Sequence, residues 1–176
     1  RIAEIIRPYI PKDIDVMGVL HNRLPMSPSA YGSMQFYRNS WATYGDAVMD
    51  IVILDILWQI RSKDKAMMTP DEFVDYLRLL TLGKVQGRTF SHMMKVRHVP
   101  THYASDIFEV MAGIIFDVNG GLEGQGLERA KQFVIDKYKA LFLDQLPQHQ
   151  KVLFEKLRAI LDEFDRSNQS SEEEAD

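Results

Sequence analysis

Two acidic pairs stand where side chains could do chemistry. Asp46 and Asp50 lie four residues apart in Tyr44-Gly-Asp-Ala-Val-Met-Asp50, and Asp106 and Glu109 lie three apart in Asp106-Ile-Phe-Glu109. Either spacing puts two carboxylates on one face of an α-helix. The small Gly45 and Ala47 beside Asp46 permit close contact with a second helix, while Ile107, Val110 and Met111 offer a core-facing surface. Carboxylates carried into apolar surroundings are costly unless compensated. Several facing one another therefore need a cation between them, and a hard divalent ion such as magnesium takes oxygen ligands. Such an ion serves phosphate chemistry. The same spacings also occur among ordinary surface acids and exposed salt bridges, so on spacing alone both readings stand.

The elements that must position these acids are helical throughout. Apolar residues recur at three-to-four spacing, and no pair of alternating runs is joined by a hairpin signal, which predicts an all-α fold. A short or broken helix is expected over Ile2 to Ile10, interrupted by Pro8 and Pro11, and a second apolar patch spans Ile14 to Leu24. The stretch from Leu24 to Ser33, with two prolines, three serines and a glycine, reads as a loop. Met34 to Arg61 reads as one long helix or two abutting ones, with Ala47, Ile51, Leu54 and Trp58 as its buried stripe. Thr69-Pro-Asp-Glu72 has the pattern of a capped helix start, and that helix is expected to run to about Leu82 and stop at Gly83. Lys84 to Thr101 is expected to be irregular, on account of Gly87 and Pro100. Helices follow over Tyr103 to Val118, stopped by Asn119-Gly-Gly121, then over Leu127 to Leu143 and Gln148 to Phe164.

With 176 residues, 45% of them hydrophobic and 26% charged, the chain suits one folded domain over residues 1–166 and an acidic disordered tail over 167–176. It has no cysteine, which excludes a disulfide framework, a thiolate nucleophile and any zinc site built on sulfur. The net charge of −4 is misleading about partners, because Glu172, Glu173, Glu174 and Asp176 account for it and leave the preceding chain formally neutral. A polyanion partner is therefore not excluded. Asp46, Asp50 and Asp55 interrupt the longest apolar candidate, so no membrane span is expected.

Both acidic segments resemble motifs of the ribonuclease III family. Asn39-Ser-Trp-Ala-Thr-Tyr-Gly-Asp-Ala-Val-Met-Asp50 is similar to the family's signature helix, Glu-Arg-Leu-Glu-Phe-Leu-Gly-Asp-Ala-Val-Leu-Glu. The segment from Ala104 to Gly120 resembles its second motif, Ala-Asp-x-Phe-Glu-Ala-x-x-Gly-Ala-x-Tyr-x-Asp-x-Gly, with Gly113 and Gly120 in step and Asp117 next to the position of the motif's second aspartate. The order and separation of the two motifs also fit, and the helical layout extends the likeness over Ile14 to Leu161.

The resemblance implies a ribonuclease III-like endonuclease domain that cleaves double-stranded or structured RNA with Mg2+, or Mn2+ in its place, leaving 5′-phosphate and 3′-hydroxyl ends. It implies a homodimer, or a heterodimer with another ribonuclease III-like subunit, built around apolar residues that include Met34, Phe36, Tyr37, Trp41 and Tyr44. By the same likeness Asp46 and Glu109 are catalytic metal ligands, and Asp106 adds a ligand or orients its water. Asp50 supports them or is structural, and Asp117 holds the following turn. The chain departs from the family at Ala42 and Asn39, which stand where the signature has glutamates. The Mini-III branch is similar in having alanine near Ala42 and no appended double-stranded-RNA-binding domain. A catalytically inactive subunit serving as a dimerisation and RNA-binding scaffold in a larger complex is the alternative.

No acidic residue falls between Asp75 and Asp106, whereas Lys84, Arg88, Lys95 and Arg97 do, together with Arg78, His92, His98 and His102. Those four basic residues are the candidate RNA-binding set. They would contact the phosphate backbone without reading sequence, which suits duplex RNA, whose deep major groove side chains do not read. A plain solvated loop is the competing reading. His98 and His102 lack the helical setting and the cysteine partners of a zinc site, and Ser91-His92 lacks the geometry of a nucleophile pair.

Overall fold

Small residues decide where the helices meet. The computed structural model describes residues 1–21, 23–24, 40–63, 68–144, 155–163 and 165–166. Among them no strand occurs, and the expected all-α class holds. The elements are α1 (Ile2–Ile6) running into a single 3-10 turn (Arg7–Tyr9), α2 (Val16–His21), α3 (Ser40–Lys63), α4 (Pro70–Thr81), α5 (Gly83–Met94), α6 (Thr101–Val118) and α7 (Gly126–Asp144). Residues 155–163 are also helical and are called α8. The expected loop over Leu24 to Ser33 beyond Leu24, the start of the long helix at Met34, and the acidic tail lie outside the described residues.

The second acidic motif forms the central helix. Between Ala104 and Phe116 every residue of α6 except Asp106 is buried, so this helix is apolar nearly all round, as an internal helix must be. It is packed by α3, α5 and α7. Phe108 stacks on Phe133 and Tyr138 of α7 at 5.4 and 5.9 Å, and the Tyr138 hydroxyl donates to the Leu80 carbonyl at 2.7 Å, tying α7 to the end of α4. The helix stops where expected: Gly120 and Gly121 adopt φ of +88° and +61°, and Gly121 N–H closes on the Phe116 carbonyl. Thr69 caps α4 as the sequence predicts, its hydroxyl accepting from Glu72 N–H while the Thr69 N–H donates to the Glu72 carboxylate.

Two expectations fail. The stripe Ala47, Ile51, Leu54 and Trp58 is not buried: Ile51, Leu54 and Trp58 are 40%, 46% and 54% exposed, and Ala47 is exposed as well. The core face of α3 consists instead of Ala42, Gly45, Val48, Met49, Val52, Ile53, Ile56, Leu57 and Ile60. Both sets follow helical spacing, because α3 is apolar on more than one side, and the packing of α6 and α7 selects between them. Lys84 to Thr101 is not irregular either, since α5 occupies most of it. Gly83 opens that helix rather than closing α4, the turn being made by Leu82 at φ −66° and ψ 131°. Gly87 is held in the helix by tertiary contact, for a Cβ there would stand 3.2 Å from the Thr101 carbonyl oxygen of α6. Only 95–100 is irregular, beginning with Lys95 in the left-handed region.

Candidate metal centre

Gly45 and Gly113 bring the two acid-bearing helices into backbone contact. A Cβ at position 45 would overlap the Glu109 carbonyl, and one at 113 would lie 3.1 Å from both the Gly45 Cα and the Tyr44 ring. Helices that close approach more nearly than ordinary side chains permit. Asp46 and Glu109, each adjacent to that contact, are thereby joined: a hydrogen bond links their side chains. Asp106, half-buried one turn earlier on α6, lies close enough for its charge to act on Glu109.

The surroundings of Glu109 are hostile to a bare negative charge. It is 8% exposed, and its carboxyl is pushed up to about 8, first by burial and then by the charges of Asp46 and Asp106. At neutral pH the proton on Glu109 is therefore retained. Asp50, exposed one turn beyond Asp46, is raised as well, by partial burial and by the Asp46 charge. The acids expected from the sequence thus share one electrostatic neighbourhood, although they lie on two helices about sixty residues apart in sequence. Among the described residues, no three Asp, Glu, His or Cys side chains stand as a finished ligand group for an ion. Ala42, one turn before Asp46, is buried and supplies no fourth oxygen.

Two buried polar side chains behind Glu109 were not evident from the sequence. Ser105, one turn earlier on α6, donates its hydroxyl to the Gln86 side-chain oxygen of α5 at 3.0 Å and lies 3.4 Å from Glu109 Oε1. Gln86 is fully buried. Its only sequence signal is a polar side chain at a core position of a segment expected to be a loop.

Lys84 and Arg88 are exposed one turn apart on α5, whose other face carries Val85, Gln86, Thr89 and Phe90 into the core. Lys95 and Arg97 are exposed in the connector that leads to α6. The basic residues thus belong to the helix that packs directly behind the carboxylates and to the link joining it to α6. His98 and His102 are both exposed, His98 with φ of +60°.

Near the start of α3, the Arg23 guanidinium lies 4.4 Å over the Trp41 ring and 3.7 Å from Asp117, which ties the turn after α2 to both acid-bearing helices. Asn119 rather than Asp117 makes the clearest turn contacts, donating to the Tyr9 and Ile115 carbonyls. Among the described residues, no helix is long and apolar enough to cross a membrane. No protein-family model matches the chain, and comparison with curated proteins and with solved structures gives no match either.

Proposed function

We propose that this protein is a magnesium-dependent endoribonuclease of ribonuclease III type, acting on double-stranded or structured RNA. The observation that carries the reading is the Gly45–Gly113 crossing, which sets Asp46 against Glu109 with Asp106 in electrostatic range. A buried carboxylate facing the charges of a half-buried Asp106 and an exposed Asp46 is a standing electrostatic cost, and a divalent cation relieves it. The donors are of the type such an ion takes, since all three are carboxylate oxygens, and the proton that Glu109 retains is the one a cation would displace. Asp46 and Glu109 would hold the cation, and Asp106 would add an oxygen or orient a water. When bound, the cation supplies charge neutralisation at the scissile phosphate and an activated water. Lys84, Arg88, Lys95 and Arg97 hold the backbone of the RNA. A second copy supplies the other half of a two-strand cutter, and the exposed Tyr44, Ile51, Leu54 and Trp58 of α3 are the apolar surface such a partner buries.

A second reading has its own observation. Buried Ala42 and the lack of a finished three-ligand group among the described residues favour a subunit that binds RNA and dimerises without cutting. One experiment separates the two: purified protein is incubated with duplex RNA and Mg2+ or Mn2+. Cleavage of both strands, lost in Asp46→Asn, supports the enzyme. Binding of the duplex without cleavage under either ion supports the scaffold.

A further inference from the structure

We propose that Gln86 and Ser105 are positioning residues for Glu109, the Ser105 hydroxyl holding the Glu109 carboxylate in its ligand orientation with the Gln86 amide behind it. The inference rests on the metal-centre reading above. Three polar side chains from two helices meet inside the core: Gln86 is fully buried, and Ser105 and Glu109 nearly so. Gly83 and Gly87 let α5 close down on α6 here, for a Cβ at 83 would stand 3.3 Å from the Ser105 hydroxyl.

The arrangement is incomplete in an informative way. Ser105 has one hydroxyl proton and two acceptors within reach, Gln86 Oε1 at 3.0 Å and Glu109 Oε1 at 3.4 Å. With that proton given to Gln86, the Gln86 Nε2 is buried and lacks an acceptor. An orphaned N–H group of this kind is costly to bury, and leucine or methionine would fill the same space without that cost. Packing alone therefore does not account for a glutamine at this position.

A half-turn of the Gln86 amide about its last torsion exchanges oxygen and nitrogen at nearly the same places. Nε2 then donates to Ser105 Oγ, and the Ser105 proton is released to Glu109. The unpaired group becomes a carbonyl oxygen, which is better tolerated than an unpaired N–H, and a neutral hydrogen bond is replaced by one to a carboxylate. A ligating carboxylate can only accept, so this relay gives Glu109 a donor and fixes its orientation, as groups behind metal ligands do.

The test measures Mn2+ binding to the full chain by calorimetry, with the Gln86 side-chain amide followed by NMR during Mg2+ addition. Ser105→Ala should weaken Mn2+ about tenfold. Gln86→Met should weaken it less, and the double variant should be no worse than Ser105→Ala, because Gln86 acts through Ser105. The Gln86 amide resonances should shift with Mg2+ in the wild type and stay still in Ser105→Ala. If Ser105→Ala does not fold, Gln86→Met carries the affinity test and the wild-type amide shift the other. Wild-type affinity in both single variants, or a Gln86 amide indifferent to Mg2+ in a wild type that binds it, overturns this inference and leaves the metal centre standing. A wild type that binds no Mn2+ overturns both.

Discussion

Two buried charged groups pack beside α3, and their surroundings are opposite. Lys131 of α7 is as inaccessible as Glu109, yet it is met by Asp55 at 2.8 Å and Glu128 at 3.0 Å, and Gln59 donates to the same Asp55 carboxylate. Burial pulls the Lys131 ammonium down, but these partners outweigh it and leave the group above its usual value, charged and satisfied. Among the described residues, the groups that act on the Glu109 carboxyl are Asp46, Asp106 and the Ser105 hydroxyl, none of them a cation. The Glu109 value also rises, which for an acid means that the charge is refused. A protein that needed only a well-made core would treat both positions as it treats Lys131. The charge refused at Glu109 is the electrostatic support for the proposed site, and it is absent at the ion pair of Lys131.

Removing one charge from each place should break the comparison most visibly. Asp46→Asn and Glu109→Gln keep side-chain size and remove an anionic ligand, so RNA cleavage should fall by more than about 100-fold, the upper range for groups that only orient a ligand, while folding and RNA binding persist. Lys131→Met should do the reverse. It strands Asp55 and should cost about 2 kcal/mol in urea unfolding, below the ~3–5 kcal/mol for a fully buried pair because Asp55 keeps contact with water, with cleavage per folded molecule unchanged. Equal activity in Asp46→Asn and wild type would mean that the wrong carboxylates have been assigned.

Gly45→Ala attacks the geometry rather than the charge. Its added methyl meets the Glu109 backbone, which cannot swing aside, so α3 and α6 must separate. A loss of about 1–3 kcal/mol or more is expected, accompanied by loss of cleavage although every carboxylate remains. Retained activity together with retained stability would show that the crossing does not set the site.

The sequence made the acids legible because their spacing of three and four survives any packing, and the two glycines beside them are small whatever the fold. Thr69 and Glu72, or Gly120 and Gly121, were legible for a similar reason: a cap or a left-handed turn is decided within a few residues. The face of α3 was not. Ile51, Leu54 and Trp58 follow the same periodicity as Val52, Ile56 and Ile60, and only the position of α6 and α7 tells which row is inside. Helix α5 was hidden because Gly83 and Gly87 count against a helix locally, while their contacts with α6, at Ser105 and Thr101, outweigh that cost. Gln86 and Ser105 went unseen with it, since the link between them spans two helices.

pH sharpens the contrast between the two buried charges. In a chelating buffer the folded chain keeps a proton on Glu109 up to about 8, whereas the unfolded chain loses it near the ordinary glutamate value. Between those limits the native state binds the extra proton, so stability is greatest below the unfolded value and declines as pH rises through the folded one. Glu109→Gln should remove that part of the decline, matching wild type near pH 4 and exceeding it at pH 8, and Mg2+ should restore wild type at pH 8 while leaving the variant unmoved. The raised Lys131 places its own loss only above the usual lysine range. Parallel stability curves for wild type and Glu109→Gln from pH 4 to 9 would remove the electrostatic argument for a site.

The smallest effect belongs to the exposed basic residues, whose charges stand in water and act one phosphate at a time. Lys84→Ala and Arg88→Ala should leave folding and Mn2+ affinity unchanged, since both side chains point away from the face of α5 that reaches Gln86 and Ser105. Each should weaken duplex RNA binding and lower the slope of log affinity against log salt by about one. The two losses should add, because backbone contacts to separate phosphates are independent. Binding whose salt slope is the same in wild type and in the double variant would move the RNA to another face. Cleavage would still depend on Asp46 and Glu109, but α5 would then serve the site only from behind, through Gln86.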